Sequence, residues 1–498
     1  MSTPPMQTPG GAPAELVAVR FPLGPGPAVD PFTLAGSDAI AFLSGGRVLV
    51  GLGCADTIAL PHGLDEPTEL DEAVRSLASI RCDDRVEPKT GAIGVAASDV
   101  AASGVMAFGA LPFDRSAPAI LTVPELIFGV EPSGHEWVTI VTTEPSRLPT
   151  GPEGLRSRLR ARHGDRLRSP AGTDVGGDEQ PGPSPSPRVT ALSSDRTFER
   201  MVDEALAAIH GGHLSKVVLA RQVEVTTGDA IDIADLLRRW HDLEPACTLF
   251  SLPGADGQFV GASPELLIER SGLHVESRPL AGTTGAGARP PGPNGEHLLP
   301  TELLASEKDG TEHRLVVEAI ATRLGPLCSE LDVPAGPDLV HLHSIVHLGT
   351  SLVGTLSCPA RGRPPSALTL VGALHPTPAV GGVPTEAARS LIARLEPASR
   401  GRYAGPVGYV DAQGDGTWVL GIRAASVRDR TARLAAGVGI VDGSDPQAEL
   451  AETNLKFDAV FDALAPGVRL AGPKATTGPR RSGGQVVTKR SADHQAVS

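Results

Sequence analysis

Two stretches of this 498-residue chain set carboxylates at the spacing of a helix face. In SEKDGTEHRLVVEAI, Asp309 and Glu312 are three residues apart; in AELAETNLKFDAV, Glu449, Glu452 and Lys456 stand at i, i+3 and i+7. Two helices that each present paired carboxylates can hold a hard cation such as Mg2+, which prefers oxygen ligands and keeps part of its water. The same pattern also describes two solvated helix faces. Lys216 opens the apolar run KVVLAR, a place for a partly desolvated general base or for an ordinary strand-end lysine. Glu265 follows Pro264 in GASPELLIER, which suits a general acid or a plain turn residue. HLHSIVH offers His341, His343 and His347, but no thiolate accompanies them, so at most one of the three is expected to serve a site. Arg423 is a lone cation in the apolar stretch WVLGIRAAS; if it points inward it needs a carboxylate, for instance from a substrate. The glycines of AGVGI (Gly437, Gly439) and PLAGTTGAG match no phosphate loop, and either admit backbone N–H groups to an anion or relieve packing.

The elements that must position these residues are legible in outline. An amphipathic helix starts near Ser193, Ser194 or Asp195, with Phe198, Val202, Ala205 and Ile209 as its apolar stripe. Strands are expected at 216–225 and in QFVGAS, LHVESRPLAG, GPVGYVDA, TWVLGIRAASV and ARLAAGVGIV, and helices at 229–242, 298–325, 366–374, 384–395 and 446–464. Upstream, AIAFLSGGRVLVGLG, GAIGVAAS, VMAFGALPF and WVTIVTTE read as hairpins and sheet. The class is therefore α+β with much antiparallel sheet. Folded blocks are expected at 15–162 and 189–465. Disorder is expected at 1–14, in the insertion 163–188 and in the basic tail 466–498, where apolar content is too low to offset the entropy of ordering.

Net charge is −14, from 44 basic and 58 acidic residues, which disfavours nucleic acid as a partner. No apolar run reaches 18 residues and no secretory signal opens the chain, so neither a membrane partner nor export is expected, and the cytoplasm is the expected compartment. Five scattered cysteines without a CxxC pair suggest neither a disulfide framework nor a thiolate zinc site. Glycine (58) and proline (46) are well above ordinary usage, and aromatics are only 3%, so Ala, Val, Leu and Ile must build the core.

Taken in order, KVVLAR, GASPELL, SRPLAGT, LLASEKDGTEH, HLHSIVHLGTSLVGTL, LHPTPAVGGVP, YAGPVGYVD, WVLGIRAA, LAAGVGIV and AELAETNLK resemble the chorismate-utilising enzymes, most closely their isochorismate synthase branch. The resemblance covers about 195–465, with 15–162 fitting the less distinctive first half of the same fold. It implies one large α/β sandwich, extensive antiparallel sheet flanked by helices, over 15–465. It also implies an activity: in the presence of Mg2+, water adds at C2 of chorismate while the C4 hydroxyl leaves.

By the same resemblance Lys216 looks like the base that activates water and Glu265 like the acid that protonates the departing hydroxyl. Glu312 and Glu452 look like Mg2+ ligands, with Asp309 and Glu449 supporting them through water. Arg423, Gly437 and Gly439, helped by Tyr403, look like the clamp on the enolpyruvyl carboxylate; His347, Thr350 and Gly282 match pocket positions, and Lys456 lies near the metal. The branches differ at few positions. Ala281 replaces the lysine of aminodeoxychorismate synthases, and Lys216 is generally absent from anthranilate synthases. Salicylate synthases, which go on to expel pyruvate, tend to carry Thr where this chain has Ala379; Val380 is one methylene smaller than the usual Leu. The resemblance thus implies an isochorismate synthase, commonly monomeric, feeding menaquinone, siderophore or salicylate synthesis. A salicylate synthase is the alternative reading, and an inactive homologue acting as a binding scaffold the non-enzymatic one.

Overall fold

The computed structural model describes residues 15–23, 30–36, 38–84, 104–144, 186–285, 300–359 and 362–470. The expectations for GAIGVAAS, 1–14, most of 163–188 and most of 466–498 lie outside the described residues.

Two antiparallel-rich sheets pack face to face, and both pass through both sequence blocks. The larger places the strands Lys216–Thr226, Thr431–Ile440, Ala424–Arg428, Gln258–Ser263 and Thr248–Leu252 beside Ile40–Ser44, Arg47–Leu52, Leu126–Val130 and Glu136–Thr142. The blocks meet where Thr248–Leu252 pairs antiparallel with Ile40–Ser44, Phe250 opposite Phe42. In the second sheet they meet where Pro406–Asp411 pairs with Met106–Ala110. Between the sheets lies a core that includes Phe42, Phe108, Trp137, Phe250, Phe259 and Tyr409. A third sheet of three strands, Leu280–Gly285, Ile345–Gly349 and Asp338–His341, stands at one end. The fold is α+β, as the sequence indicated.

Helices cover the outer faces and start where side chains can satisfy their free N–H groups. Ser194, Asp232, Ser366 and Asp445 cap the helices Asp195–His210, Ile233–Leu243, Ala367–Leu374 and Pro446–Leu464. The helix expected over 298–325 is two helices, Pro300–Ala305 and Glu307–Leu324. Ser306 breaks it: its backbone is extended and its hydroxyl accepts the Asp309 N–H, so Asp309 falls in a first turn. The first block also contains a helix that its strand-like rhythm hid, Pro67–Ser79, with Leu70, Ala73, Val74 and Leu77 buried. Among the described residues no helix is long and apolar enough to cross a membrane.

Two chain segments cross from one sheet to the other side by side. Gln258–Ser263 belongs to the large sheet and Leu266–Ser271 to the second, so Pro264 and Glu265 form the crossing. The expected strand TWVLGIRAASV is likewise split: Gly416–Leu420 lies in the second sheet, Ala424–Arg428 in the large one. The crossings hold each other, with Leu420 N–H donating to Glu265 O (3.1 Å) and Ala262 N–H to Arg423 O (3.1 Å). Arg423 sits in the left-handed region, φ 51°, an unfavourable conformation for a side chain with a Cβ.

Candidate active site

A cavity enclosing about 720 Å³, partly continuous with solvent, opens at this double crossing. A crossing leaves polar groups that neither sheet can pair, and here they are ionisable. Glu265 and Arg423 enter from the two crossings, Gly282, Thr283 and His347 from the three-stranded sheet, and Glu312 and Glu452 from two helices. Ala379, Val380, Arg400 and Tyr403 form the opposite wall, with Gly437 and Gly439 on the floor strand.

Glu265 is almost fully buried. Burial pushes its carboxyl up to about 7, although a backbone hydrogen bond from Leu280 and the charges of Lys216, Lys456 and Arg423 pull the other way. A carboxylic acid poised there can give up a proton near neutrality.

Lys216 is 0% exposed and its Nζ lies 3.0 Å from Glu312 Oε1, in a direction that makes no hydrogen bond. Its strand is buried along its first six residues, which carries the lysine side chain into an apolar wall. The approach needs glycine at 439: a Cβ there would lie 2.0 Å from Glu312 Oε1 and 3.0 Å from Lys216 Cε. Lys216 does not itself line the cavity but stands behind Glu312 at its edge.

The acidic side is built as pairs. Besides Lys216 with Glu312, Lys456 reaches Glu452 Oε1 (2.8 Å) and Lys308 reaches Glu449 Oε1 (2.6 Å). Burial and the neighbouring Glu452 charge push Glu449 up to about 7, against the pull of Lys308. Burial also raises Asp309, with Glu312 and Glu452 adding to it. For Glu452 burial acts upward, but Lys456 outweighs it and holds the carboxyl below its ordinary range. Among the described residues no three His, Cys, Asp or Glu side chains are gathered as a metal centre. The helical spacing brings Glu312 and Glu452 into the cavity wall and leaves Asp309 and Glu449 outside it, and lysines pair with Glu312, Glu449 and Glu452.

His347 is the only member of HLHSIVH in the cavity wall; His341 and His343 are exposed. Its Nδ1 hydrogen-bonds Gly282 O (2.9 Å), and Arg423 Nη2 donates to its Nε2 (2.8 Å). Burial, then Arg423 and Lys456, hold it well below the usual histidine range, so it is neutral. Among the described residues Arg423 forms no ion pair, leaving a buried guanidinium facing a cavity. Tyr403 contacts Gly437, where an added Cβ would come within 3.1 Å of its hydroxyl oxygen. Gly282 has φ 72°, a turn that only glycine takes easily. Ala281, Ala379 and Val380 face the cavity with no nucleophilic atom.

Thr350 is not in the wall; it stands behind it, its Oγ1 2.7 Å from His313 Nε2. His313, which the sequence pattern passed over, is buried and held down to about 4 by burial and by Lys216. Arg400 was also passed over. It lies in SRGRY three residues before a loop tyrosine, and nothing in its spacing marks it as buried.

Comparison with known proteins places these residues in context. A family model described as chorismate binding enzyme matches residues 91–465. A Mycobacterium tuberculosis protein named MenF is 39% identical over 365 residues, 72% of this chain and 85% of the relative. The isochorismate synthase EntC of Escherichia coli K12 is 41% identical over 275 residues, 55% of this chain and 68% of the relative. The solved structure of MenF, the menaquinone-specific isochorismate synthase of Escherichia coli, superposes with a TM-score of 0.66, covering 92% of this chain and 96% of that one; at 24% identity it speaks to the fold.

Proposed function

The chain belongs to the chorismate-binding enzyme family, and on that premise we propose that it is an isochorismate synthase, an isomerase that moves the chorismate hydroxyl from C4 to C2. The single observation that carries the reading is the arrangement at the cavity: Glu265 lines it, Lys216 stands behind its Glu312 edge, 3.0 Å from that carboxylate, and residue 281 is alanine. Water adds poorly unless deprotonated, and hydroxide leaves poorly unless protonated. In this reading Lys216 takes a proton from the water that adds at C2. Glu265, protonated up to about pH 7, gives its proton to the departing C4 oxygen. Arg423, with Tyr403 and the backbone at Gly437 and Gly439, receives the enolpyruvyl carboxylate; the unpaired guanidinium supports that assignment. Neutral His347 orients Arg423 rather than competing for the anion. Ala281 leaves no amine for covalent attack, and the Ala379–Val380 wall supports release of the first product, without loss of pyruvate.

The donor set suits Mg2+: all oxygen and all carboxylate, with Asp309 and Glu449 raised first by burial and then by the neighbouring carboxylate charges. Glu312 and Glu452 would hold the ion, with Asp309 and Glu449 behind them, and it would supply charge neutralisation at the ring carboxylate. The lysine pairs are where those charges go otherwise.

The test is a product assay on the full chain with chorismate and Mg2+, and an EDTA control. A reversible mixture of chorismate and isochorismate without pyruvate supports the reading, and with it a place in menaquinone or siderophore synthesis. Salicylate with stoichiometric pyruvate would make it a salicylate synthase. No turnover would leave a binding scaffold.

A further inference from the structure

We infer that Arg400, held by Glu396, is a positioning residue that fixes the Ala379–Val380 wall against the strand carrying Lys216. This rests on the proposed function for its kinetic consequence, though not for its geometry.

The strand Lys216–Thr226 is paired along its whole length with Thr431–Ile440. Its other edge is paired only at its two ends, by Gly382–Val383 at residues 216–217 and by Arg188–Ala191 at residues 223–226. Backbone groups in the gap still need partners. Val218 N–H finds Gly381 O (2.7 Å). Side chains fill the rest: Arg400 Nη2 donates to Val218 O (2.7 Å), and Ala220 N–H donates to Glu396 Oε1 (2.9 Å). The two side chains pair with each other, Arg400 Nε lying 2.9 Å from Glu396 Oε2, and their side chains are 2% and 5% exposed. An ion pair thus stands in for the missing strand.

The same guanidinium also holds the wall in which it stands. Arg400 Nη1 donates to Val380 O (2.7 Å), and the plane lies over the Phe113 ring, 4.2 Å from its centroid. One rigid fork therefore ties the strand of the proposed base, two residues beyond Lys216, to the carbonyl of the residue that shapes the pocket. The segment leading to that wall is anchored in the same way. Arg115 donates to Gly372 O and His375 O, and Arg323 to Leu374 O and Pro376 O. Among the described residues, neither of those two arginines hydrogen-bonds the Lys216 strand, so of the three only Arg400 joins that strand to the Val380 carbonyl. Its charge is already balanced by Glu396, which leaves positioning rather than anion binding as its use. Lysine has the charge, but its donors radiate from one nitrogen instead of the three spread nitrogens that Arg400 uses for Glu396, Val218 O and Val380 O.

The test compares Arg400→Lys, Glu396→Gln and the double variant with the wild-type chain, and uses Arg402→Lys, two residues away and bonded to the loop at Asp256, as the control. Rates are taken well below the melting temperature of each protein and per folded molecule. The expected result is a kcat roughly 10- to 100-fold lower in Arg400→Lys, with KM for chorismate and the Mg2+ concentration for half-maximal rate changed less than about threefold. Glu396→Gln should fall in the same direction, the double variant no further than the worse single one. Guanidinium ion should restore part of the rate of Arg400→Ala. Hydrogen exchange in a peptide spanning 216–222 should quicken in Arg400→Lys, while Arg402→Lys stays at wild type in every measure. Wild-type kcat with only a lowered melting temperature would overturn the inference, as would independent, additive losses. Unchanged exchange at 216–222 overturns it whether or not the protein turns over chorismate. An inactive wild-type chain counts against the proposed function instead.

Discussion

Two cavities in this molecule enclose similar space, about 720 Å³ at the double crossing and about 880 Å³ between the sheets, and each contains a buried carboxyl pushed up to about 7 by burial. They differ in what surrounds that carboxyl. Glu265 is approached by Lys216, Lys456 and Arg423, cations delivered by a strand, a helix and a sheet crossing. Asp411 in the second cavity has a like charge, Asp415, as its strongest neighbouring charge, with Arg270 acting more weakly the other way. Its Oδ1 is taken by the N–H groups of Gln413 and Asp415 in its own turn, at 2.8 and 2.9 Å. A shifted carboxyl is thus a consequence of burial anywhere. A site needs cations from separate elements aimed at the same space, and at least one of them, here Arg423, with no ion pair among the described residues.

The sharpest way to break this contrast is to exchange the carboxyls' fates. Lys216→Ala and Glu265→Gln should each lower kcat by ~10²–10⁴-fold, the range of general acid–base catalysis, while Asp411→Asn should leave it within about twofold. Steady-state rates on chorismate decide it; comparable losses from Asp411→Asn would erase the distinction. Gly439→Ala changes no charge, yet its Cβ would occupy the position of Glu312 Oε1. Displacing that carboxylate from Lys216 should cost roughly 10²-fold in kcat and raise the Mg2+ requirement, read from a Mg2+ titration of the rate. Glu312→Gln should raise the same requirement and leave the fold intact by circular dichroism.

The pH profile separates the cavities further. Glu265 must hold its proton to act, so kcat/KM should fall as pH rises through about 7. Asp411 should leave its mark on stability alone. Its folded-state value of about 7 lies above the ordinary 3.8, so the native state binds the proton more tightly. Stability should then decline as pH rises from about 4 to 7, by at most ~1.4 kcal/mol per unit, and level off above. Urea unfolding of Asp411→Asn at pH 5 and 7.5 should show a shallower slope, the share of Glu265 and Glu449 remaining, with the variant gaining on the wild type at the higher pH. An unchanged slope would mean that Asp411 does not keep its proton.

Much of the site could be read from the sequence because its residues lie in contiguous, regularly spaced segments. The helix Pro446–Leu464 has the bounds its pattern predicted, with Val460 and Ala463 in the core and Glu452 turned to the cavity beside Lys456. Gly439 and Gly282 were legible as glycines, but their reasons, the Glu312 carboxylate and a left-handed turn, were not. His313 and Arg400 escaped notice for a related cause. Neither belongs to a pattern of its own, since their partners Thr350, Val218 and Val380 are 37, 182 and 20 residues away.

Local chemistry therefore determined the class of fold, the helices and strands with strong periodicity, and which side chains were fit to move protons or hold a cation. Those properties depend on neighbours within a turn or a strand. Tertiary structure alone decided where the chain changes sheets, which put Glu265 and Arg423 in one cavity. It decided that Lys216 meets Glu312 rather than solvent, and that an ion pair replaces part of a strand. Each of these depends on burial and on contacts between distant segments, and a charge has no fixed meaning until the folded chain sets the dielectric and the counter-charges around it.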